Sequence, residues 1–411
     1  MSEPKIRFKG CQGEWERKEL GDIASRITRK NVNMESTLPL TISAANGLVS
    51  QDSFFNNIVA GSNLQNYYLI KEGEFAYNKS RSSEYPVGAV KRLDKFEKGV
   101  LSTLYIIFKL NDGVSSDYVA YFFDTNLWYG EILKRASEGA RNHGLLNIGA
   151  EDFLDIGILL PPTLPEQRQI AAYFRSLDGI LSGCEARLSS LRRLKEGALQ
   201  AFFPQQGETQ PKIRFKGCQG EWVKKELSEC LEISDERNLD GRYKRDDVLS
   251  VSDDYGVVNQ IELLGRSYAG KTLTNYDVLR TGQIVYTKSP LRSKPYGIVK
   301  LNTGKPGIVS SLYAVYNAKP NISADYLHWY FDPAWRLNAY IRPLVNKGAK
   351  NTMNISDETA LTGYIYIPPT LAEQRLIANF FRTLDRRIEL ERQRLEKLKQ
   401  LKAACLEKMF V

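Results

Sequence analysis

The sequence predicts an α+β chain in which two duplicated globular domains are separated by a pair of long antiparallel coiled-coil helices, an internal repeat of pseudo-two-fold character. Three observations carry this. First, PPTLPEQRQIAAYFRSLDGILSGCEARLSSLRRLKEGALQAFF from Pro161 recurs as PPTLAEQRLIANFFRTLDRRIELERQRLEKLKQLKAACLEKMF from Pro368, an offset of 207 in a chain of 411 residues. Second, PKIRFKGCQGEWERKEL at Pro4 to Leu20 returns as PKIRFKGCQGEWVKKEL at Pro211 to Leu227, identical at 15 of 17 positions and at the same offset. Third, the short apolar runs between these landmarks recur in the same order with diverged residues. Self-similarity at a fixed period marks a duplicated architecture. The boundaries that follow are a first globular domain over 1–160, a central helix over 161–206, a second globular domain over 207–367 and a C-terminal helix over 368–411.

The central helix opens with Thr163 three residues before Glu166, the pattern of a capping box, and Pro165 is tolerated in the first turn. Ile170, Phe174, Leu177, Leu181, Cys184, Leu188 and Leu191 then recur in steps of four and three, one narrow stripe facing a partner helix. A helix of ~38 residues spans ~57 Å. Thr370 and Glu373 repeat the box in the second copy. Ile377, Phe381, Leu384, Ile388, Leu395, Leu398, Cys405 and Met409 continue the stripe, interrupted by Glu391 and Lys402. These stripes assign Ile170, Phe174, Leu177, Leu181, Leu188, Leu191, Ile377, Phe381, Leu384, Ile388, Leu395 and Leu398 to helix pairing or partner docking.

In the first domain LPLTISAA, EFAYN, VGAVKRL and VLSTLYIIFKL read as strands punctuated by turn residues. A helical segment follows over Asp117 to Arg135, then a polar run from Ser137 to Asn147. The second domain repeats the order: GEFAYNKS at Gly73 answers GQIVYTKS at Gly282, GVLSTLY at Gly99 answers GIVSSLY at Gly307, and DYVAYFFD at Asp117 answers DYLHWYFD at Asp325. The loops do not match, SSEYP at Ser82 standing where the second copy has LRSKP at Leu291. A shared frame with unlike loops is what two binding modules for two different ligands look like.

Composition sets the class. With 42% hydrophobic and 26% charged residues the chain is globular rather than disordered. No apolar run approaches membrane-spanning length and no basic-then-apolar leader opens the chain, which points to a cytoplasmic protein without a membrane partner. Five cysteines, none in a C-x-x-C pair, suit a reducing compartment and give no metal-site spacing, so no metal ligand is expected. Of the net charge of +9, the segments Glu166–Glu196 and Glu373–Lys408 carry +2 and +4, so any nucleic-acid face on the domains must come from local clusters.

Gly265 to Thr272, GRSYAGKT, fits the G-x-x-x-x-G-K-[ST] phosphate loop. That loop needs a following helix whose N–H groups cradle phosphate. Here the chain soon meets a Thr-Gly turn, and the duplicated position, Gly61-Ser62-Asn63, has no lysine. His143 and His328 stand alone, and no nucleophile elbow, zinc-protease helix or base-flipping tetrapeptide is present. The chain reads as non-catalytic. What remains is polar-basic loop chemistry: Tyr77, Asn78, Lys79, Ser80 and Arg81 answered by Tyr286, Lys288, Ser289, Arg292 and Lys294, and Arg141, Asn142 and His143 answered by Lys347, Lys350 and Asn351. Arg and Lys anchor phosphates, and with Asn they read base edges in the major groove, so these sixteen residues are the candidate DNA contacts.

The P-K-I-R-F-K-G…G-E-W opening, the two variable domains and the P-P-T-L-x-E-Q-R-x-I-A…F…L-D helix head resemble the specificity subunit of bacterial type I restriction-modification systems, over essentially the whole chain. The resemblance implies that each domain is a target recognition domain reading one half of an asymmetric bipartite site in double-stranded DNA. It implies that the helices fix the spacer and dock two modification (methyltransferase) subunits, with restriction (motor-nuclease) subunits joining for cleavage. No cofactor is expected on this chain; S-adenosylmethionine, ATP and Mg are expected on the partners. A stand-alone DNA-binding or scaffolding protein that dimerises through its helices is the alternative.

Overall fold

The computed structural model describes residues 3–43, 46–55, 63–136, 144–291, 294–347 and 353–411. The chain forms two compact units, Met1–Glu185 with Gln393–Val411, and Ala186–Arg392.

The first unit contains strands β1 (Glu16–Glu19), β2 (Ala24–Ile27), β3 (Leu40–Ser43), β4 (Gly47–Ser50), β5 (Tyr68–Lys71), β6 (Phe75–Asn78), β7 (Ala89–Arg92), β8 (Lys98–Leu101), β9 (Ile106–Leu110) and β10 (Gly157–Leu160). Its helices are α1 (Leu20–Ile23), α2 (Gln51–Phe55), α3 (Ser116–Phe122), α4 (Tyr129–Arg135), α5 (Ala150–Leu154) and the start of α6 (Leu164–Ala201). An antiparallel sheet in the order β2–β9–β6–β7 is flanked by the ribbons β3–β4 and β5–β8, while β1 pairs with β10. Both faces of β6 are buried. Phe75 and Tyr77 enter one core with Phe108, Phe122 and Phe153, and Ala76 enters a second with Leu40, Ile70 and Ile107.

The second unit repeats this with β11 (Val223–Glu226), β12 (Leu231–Ile233), β13 (Leu249–Ser252), β14 (Gly256–Asn259), β15 (Asp277–Leu279), β16 (Ile284–Tyr286), β17 (Val299–Leu301), β18 (Gly307–Val309), β19 (Ala314–Ala318), β20 (Asn346–Lys347), β21 (Met353–Asn354) and β22 (Tyr364–Ile367). Its helices are α7 (Gln260–Leu264), α8 (Ala324–Phe331), α9 (Ala334–Ile341) and the start of α10 (Leu371–Met409). The sheet order β12–β19–β16–β17 is the first unit's order again, and β16 splits likewise, Ile284 and Tyr286 to one core and Val285 to another.

The helical segment expected over Asp117 to Arg135 is broken into α3 and α4. Ser115 caps α3 by accepting from Tyr118 N–H. At its other end Thr125 Oγ1 donates to the Phe122 carbonyl at 2.7 Å and Trp128 Nε1 to that of Phe123 at 3.2 Å, occupying carbonyls a continuing helix would need. In the second unit Pro333, without an N–H, separates α8 from α9.

Within each unit the long helices run antiparallel. In the first, Tyr173 Oη lies 3.3 Å from Cys405 Sγ, Asp178 pairs with Lys402 at 2.6 Å and Glu185 with Lys399 at 3.2 Å, one number rising as the other falls. In the second, Arg187 pairs with Glu391 at 2.9 Å and Lys195 with Asp385 at 2.8 Å. Glu391 and Lys402, which interrupt the apolar stripe, are thus held by charges on the facing helix. Ile170, Phe174, Leu177, Leu188, Ile377, Phe381 and Leu384 are buried; Leu181, Leu191, Ile388, Leu395 and Leu398 are half-buried. Among the described residues no helix is long and apolar enough to cross a membrane.

The helix heads carry a correction to the capping box. Thr163 Oγ1 and Thr370 Oγ1 accept from the N–H of Glu166 and Glu373. The glutamates' carboxylates do not reach back. Glu166 takes a two-pronged ion pair from Arg7 at 2.7 and 2.9 Å, and Glu373 one from Arg214 at 2.8 and 2.6 Å. Both arginines also donate to two backbone carbonyls of their own segment, Gln12 and Gly13 or Gln219 and Gly220. The near-identical opening segments are therefore clasps, each folding its domain onto the head of a long helix.

Candidate nucleic-acid interface

The candidate surface begins where β6 and β16 leave the sheet. In the first unit the chain after Asn78 pairs with the segment after residue 143: Ser80 bridges Leu145, Arg81 N–H donates to Gly144 O at 2.7 Å, and Leu146 N–H to Lys79 O at 3.0 Å. The described part of the second polar segment, Gly144 to Leu146, thus lies beside the cluster that follows β6. Arg141, Asn142 and His143 themselves lie outside the described residues, immediately before Gly144.

Asn78 Oδ1 accepts from Ser80 N–H at 3.0 Å, fixing the turn. The Lys79 ammonium donates to Ile148 O at 3.3 Å, and its pKa is lowered by burial and then by the positive charge of Arg26. Arg81 Nε donates to Pro86 O at 3.1 Å. Among the described residues neither Lys79, Arg81 nor the exposed Arg26 has an acidic partner. Nothing in the local sequence marked Arg26, a single cation on a different strand.

Tyr77 is corrected. Its ring is fully buried, stacked on Phe153 at 4.4 Å between centroids, and its hydroxyl donates to Val87 O at 2.8 Å. Burial pushes its ionisation far above the usual range. Tyr286 is corrected likewise, buried with its hydroxyl on Tyr296 O at 2.8 Å. Both tyrosines tie the β6–β7 and β16–β17 connections to the core and have no face left for DNA.

The second unit is wired differently. Lys288, at φ 24°, gives its ammonium to Asp357 at 2.6 Å. Lys294 pairs with Asp253 at 2.6 Å and donates to Asp332 O at 3.0 Å, drawing the β13–β14 turn onto the β16–β17 connection. Ser289 is half-buried. Lys347 lies in β20, opposite Met353 of β21, while Arg292, Lys350 and Asn351 lie outside the described residues.

Behind these edges sits an ionic layer that sequence reasoning missed. Lys300 pairs with Asp332 at 2.9 Å and Asp253 at 3.4 Å, and Lys195 of α6 reaches Asp332 at 3.6 Å. Lys91 and Asp124 form the first unit's counterpart at 2.6 Å. The recurrence of V-K before each second turn and of a terminal Asp in DYVAYFFD and DYLHWYFD was the available signal. Arg175 with Asp117, and Arg382 with Asp325, pin the same helices to α6 and α10. His328 borders this layer; its Nδ1 is 3.4 Å from Val299 O, and burial lowers its pKa to about 4.

The phosphate-loop match has no phosphate cradle. Gly265 is the left-handed C-cap of α7 at φ 73°, and the chain then runs without a helix to β15. Among the described residues no group of three or more His, Cys, Asp or Glu could hold a metal ion.

Two copies of one α+β scaffold, each clasped to a long helix and differing at its loop edge, define a protein that presents two related but unlike surfaces. Residues 220–400 match the type I restriction modification DNA specificity domain. The S subunit of a type I restriction-modification system from M. genitalium shares the fold at a TM-score of 0.55 and 12% identity, covering 100% of this chain and 99% of that one. A chain from a structure concerned with complex assembly and conformational transition of the type I R-M system does so at 0.51 and 14%, covering 98% and 99%. No curated protein matches the sequence. The matched residues are largely the second copy of a repeat whose first copy precedes it by 207 positions, so it is the second half of this chain that is similar to the DNA specificity domain of type I restriction-modification systems.

Proposed function

We propose that each unit reads one half of a bipartite, asymmetric site in double-stranded DNA, and that α6 and α10 fix the spacer between the halves and dock two methyltransferase subunits. The observation that carries this is the division between what the duplication keeps and what it changes. Clasp, core tyrosine and helix-pinning ion pairs recur in both units, whereas the charges at the loop edge do not. A frame held constant under a variable edge supports two different ligands read in the same geometry, and fixed separation makes half-site spacing a property of the protein. In the first unit Lys79, Arg81 and Arg26 supply phosphate anchoring; base reading falls to loop residues around them.

The chain itself carries out no chemistry in this reading. Methyl transfer to adenine with S-adenosylmethionine belongs to the modification subunits, and ATP- and Mg-dependent cleavage to the restriction subunits. The test is co-expression with the methyltransferase encoded beside its gene, followed by methylome sequencing of the host. The reading predicts a two-part adenine-methylated motif. A soluble, assembled complex that methylates nothing new would instead support a stand-alone DNA-binding or scaffolding role.

A further inference from the structure

The second unit lacks free charge where the first unit has it. Lys288 and Lys294 are neutralised by Asp357 and Asp253, and Pro290 stands where the first unit has Arg81. Cations without an acidic partner lie instead in the connection from α7 to β15. Arg266 and Lys271, in the GRSYAGKT segment that matched a phosphate loop only in spelling, are both exposed, and among the described residues neither has an acidic partner. The first unit has Asn57 and Ser62 at these places, on either side of the same Ala-Gly pair. The Ala-Gly pair is kept between the copies while the charge is not, the same division of frame and edge seen elsewhere in the two units.

The segment is pinned although it has no helix or strand of its own. Ala269 is buried against Val248, Val278 and Ile308, and its carbonyl accepts from the Arg245 guanidinium at 2.6 Å. Gln260 Oε1 accepts from Tyr268 N–H at 2.7 Å and from Ser267 Oγ at 3.2 Å, and Gly270 N–H donates to Tyr276 Oη at 3.3 Å. What this anchoring presents to solvent is a layered pair. Arg266 Cζ lies 4.6 Å from the centroid of the Tyr268 ring, which is 60% exposed. Backed by the ring, the guanidinium has given up part of its freedom before a ligand arrives, and holding it in one orientation then costs less.

An oriented guanidinium is a planar fork whose two N–H groups match the O6 and N7 acceptors of guanine in the major groove. A lysine ammonium is a point charge on a flexible stem, suited to a backbone phosphate. We infer that Arg266, held by Tyr268, reads a guanine edge in the half-site of the second unit, and that Lys271 takes a phosphate beside it. This names contact residues for the second unit and rests on the reading of each unit as a DNA half-site reader. The two units then use one frame but carry their free cations on different connections, after β6 in the first and before β15 in the second.

The test uses the full chain assembled with the methyltransferase subunit. Competition binding compares the methylated motif with each of its single-base variants over a range of salt, with melting temperature as the fold control. The half-site of the second unit is the one that changes when residues 227–367 are replaced by residues 20–160. Arg266→Ala is expected to lose roughly tenfold in discrimination at one G·C pair of that half and nothing in the other half. Arg266→Lys keeps the charge without the fork, so it should lose the same discrimination and retain the salt slope. Lys271→Ala should weaken binding to all sequences alike and lower the salt slope by about 1. Lys224→Ala, which removes an exposed cation lying 4.6 Å from the centroid of the Tyr364 ring at the clasp, should change neither quantity. A second half-site without a G·C pair, or an Arg266→Ala variant that discriminates within about twofold of wild type, would overturn the assignment. So would full rescue by Arg266→Lys, which would make Arg266 a phosphate contact. A wild-type complex that assembles but prefers no sequence would overturn the underlying DNA reading as well, and is thereby distinguishable.

Discussion

In the first unit the Lys79 ammonium rests on a backbone carbonyl beside Arg26, whereas in the second the equivalent Lys288 is neutralised by Asp357 and strand β12 ends in Ile233 where Arg26 would stand. The same contrast repeats further along the edge. Arg29 pairs with Glu74 across the first unit, but the second has Glu236 and Gln283 at those places, and Arg280 moves in to pair with Glu236. Against this rewiring stands a set of contacts that hardly changes: Arg7 or Arg214 on the helix glutamate, Ser115 or Ser323 N–H donating to Gln167 or Gln374 at 2.9 and 2.8 Å, and Lys402 or Lys195 across the helix pair. The constant contacts join a domain to a long helix or one long helix to the other. The altered ones join no residue of either long helix, so the frame does not depend on them.

Breaking the constant set gives the largest effects. Arg7→Ala or Arg214→Ala strands a buried carboxylate, and loss of one partner of such a pair costs about 3–5 kcal/mol. Glu373 keeps the indole N–H of Trp222 at 3.3 Å, while Trp15 Nε1 makes no hydrogen bond, so Arg7→Ala is expected to be the more destabilising, measured by denaturant unfolding.

His328 sharpens the comparison because Ala120 occupies its place in the first unit. Its pKa in the fold, about 4, lies below the ordinary 6.5 because burial disfavours the charged ring. The unfolded chain therefore binds the proton first. The stabilising contribution is complete above about pH 6.5 and is lost as pH falls toward 4, a change on the order of 2 kcal/mol for a half-buried residue. His328→Ala should flatten this part of the stability profile, and an unchanged profile would show that the ring does not titrate as described.

Tyr77→Phe and Tyr286→Phe remove one hydrogen bond each to Val87 or Tyr296 and should cost about 1 kcal/mol while leaving the methylated motif unchanged. Altered sequence preference would return these residues to the interface. The smallest stability changes belong to the edge itself. Lys79→Ala should lower the salt slope of DNA binding by about 1 with stability nearly unaltered, and Asp357→Asn, which releases Lys288, should raise it by about 1.

The frame was legible because heptad spacing and a 207-residue repeat survive without knowledge of contacts. The tyrosines were misread because they were grouped with the polar residues that follow them, although Phe75-Ala76-Tyr77 and Ile284-Val285-Tyr286 are continuous apolar runs of the kind that strands covered on both faces show. The break inside Asp117 to Arg135 depends on a Thr125 hydroxyl and a Trp128 indole competing for helix carbonyls, a choice that apolar spacing does not record. Glu166 looked like a capping residue because its true partner, Arg7, lies 159 positions away. Lys294 looked like a free cation because Asp253 reaches it from another hairpin.

The central claim is that the frame is common and the sequence preference resides in the domain. Replacing residues 227–367 by residues 20–160 would place the first domain on both clasps and both helices. Co-expressed with the methyltransferase and followed by methylome sequencing, this chimera is predicted to methylate a site whose two halves carry the same sequence, at the wild-type spacing. A folded, assembled chimera that still methylates two unlike halves would contradict the account.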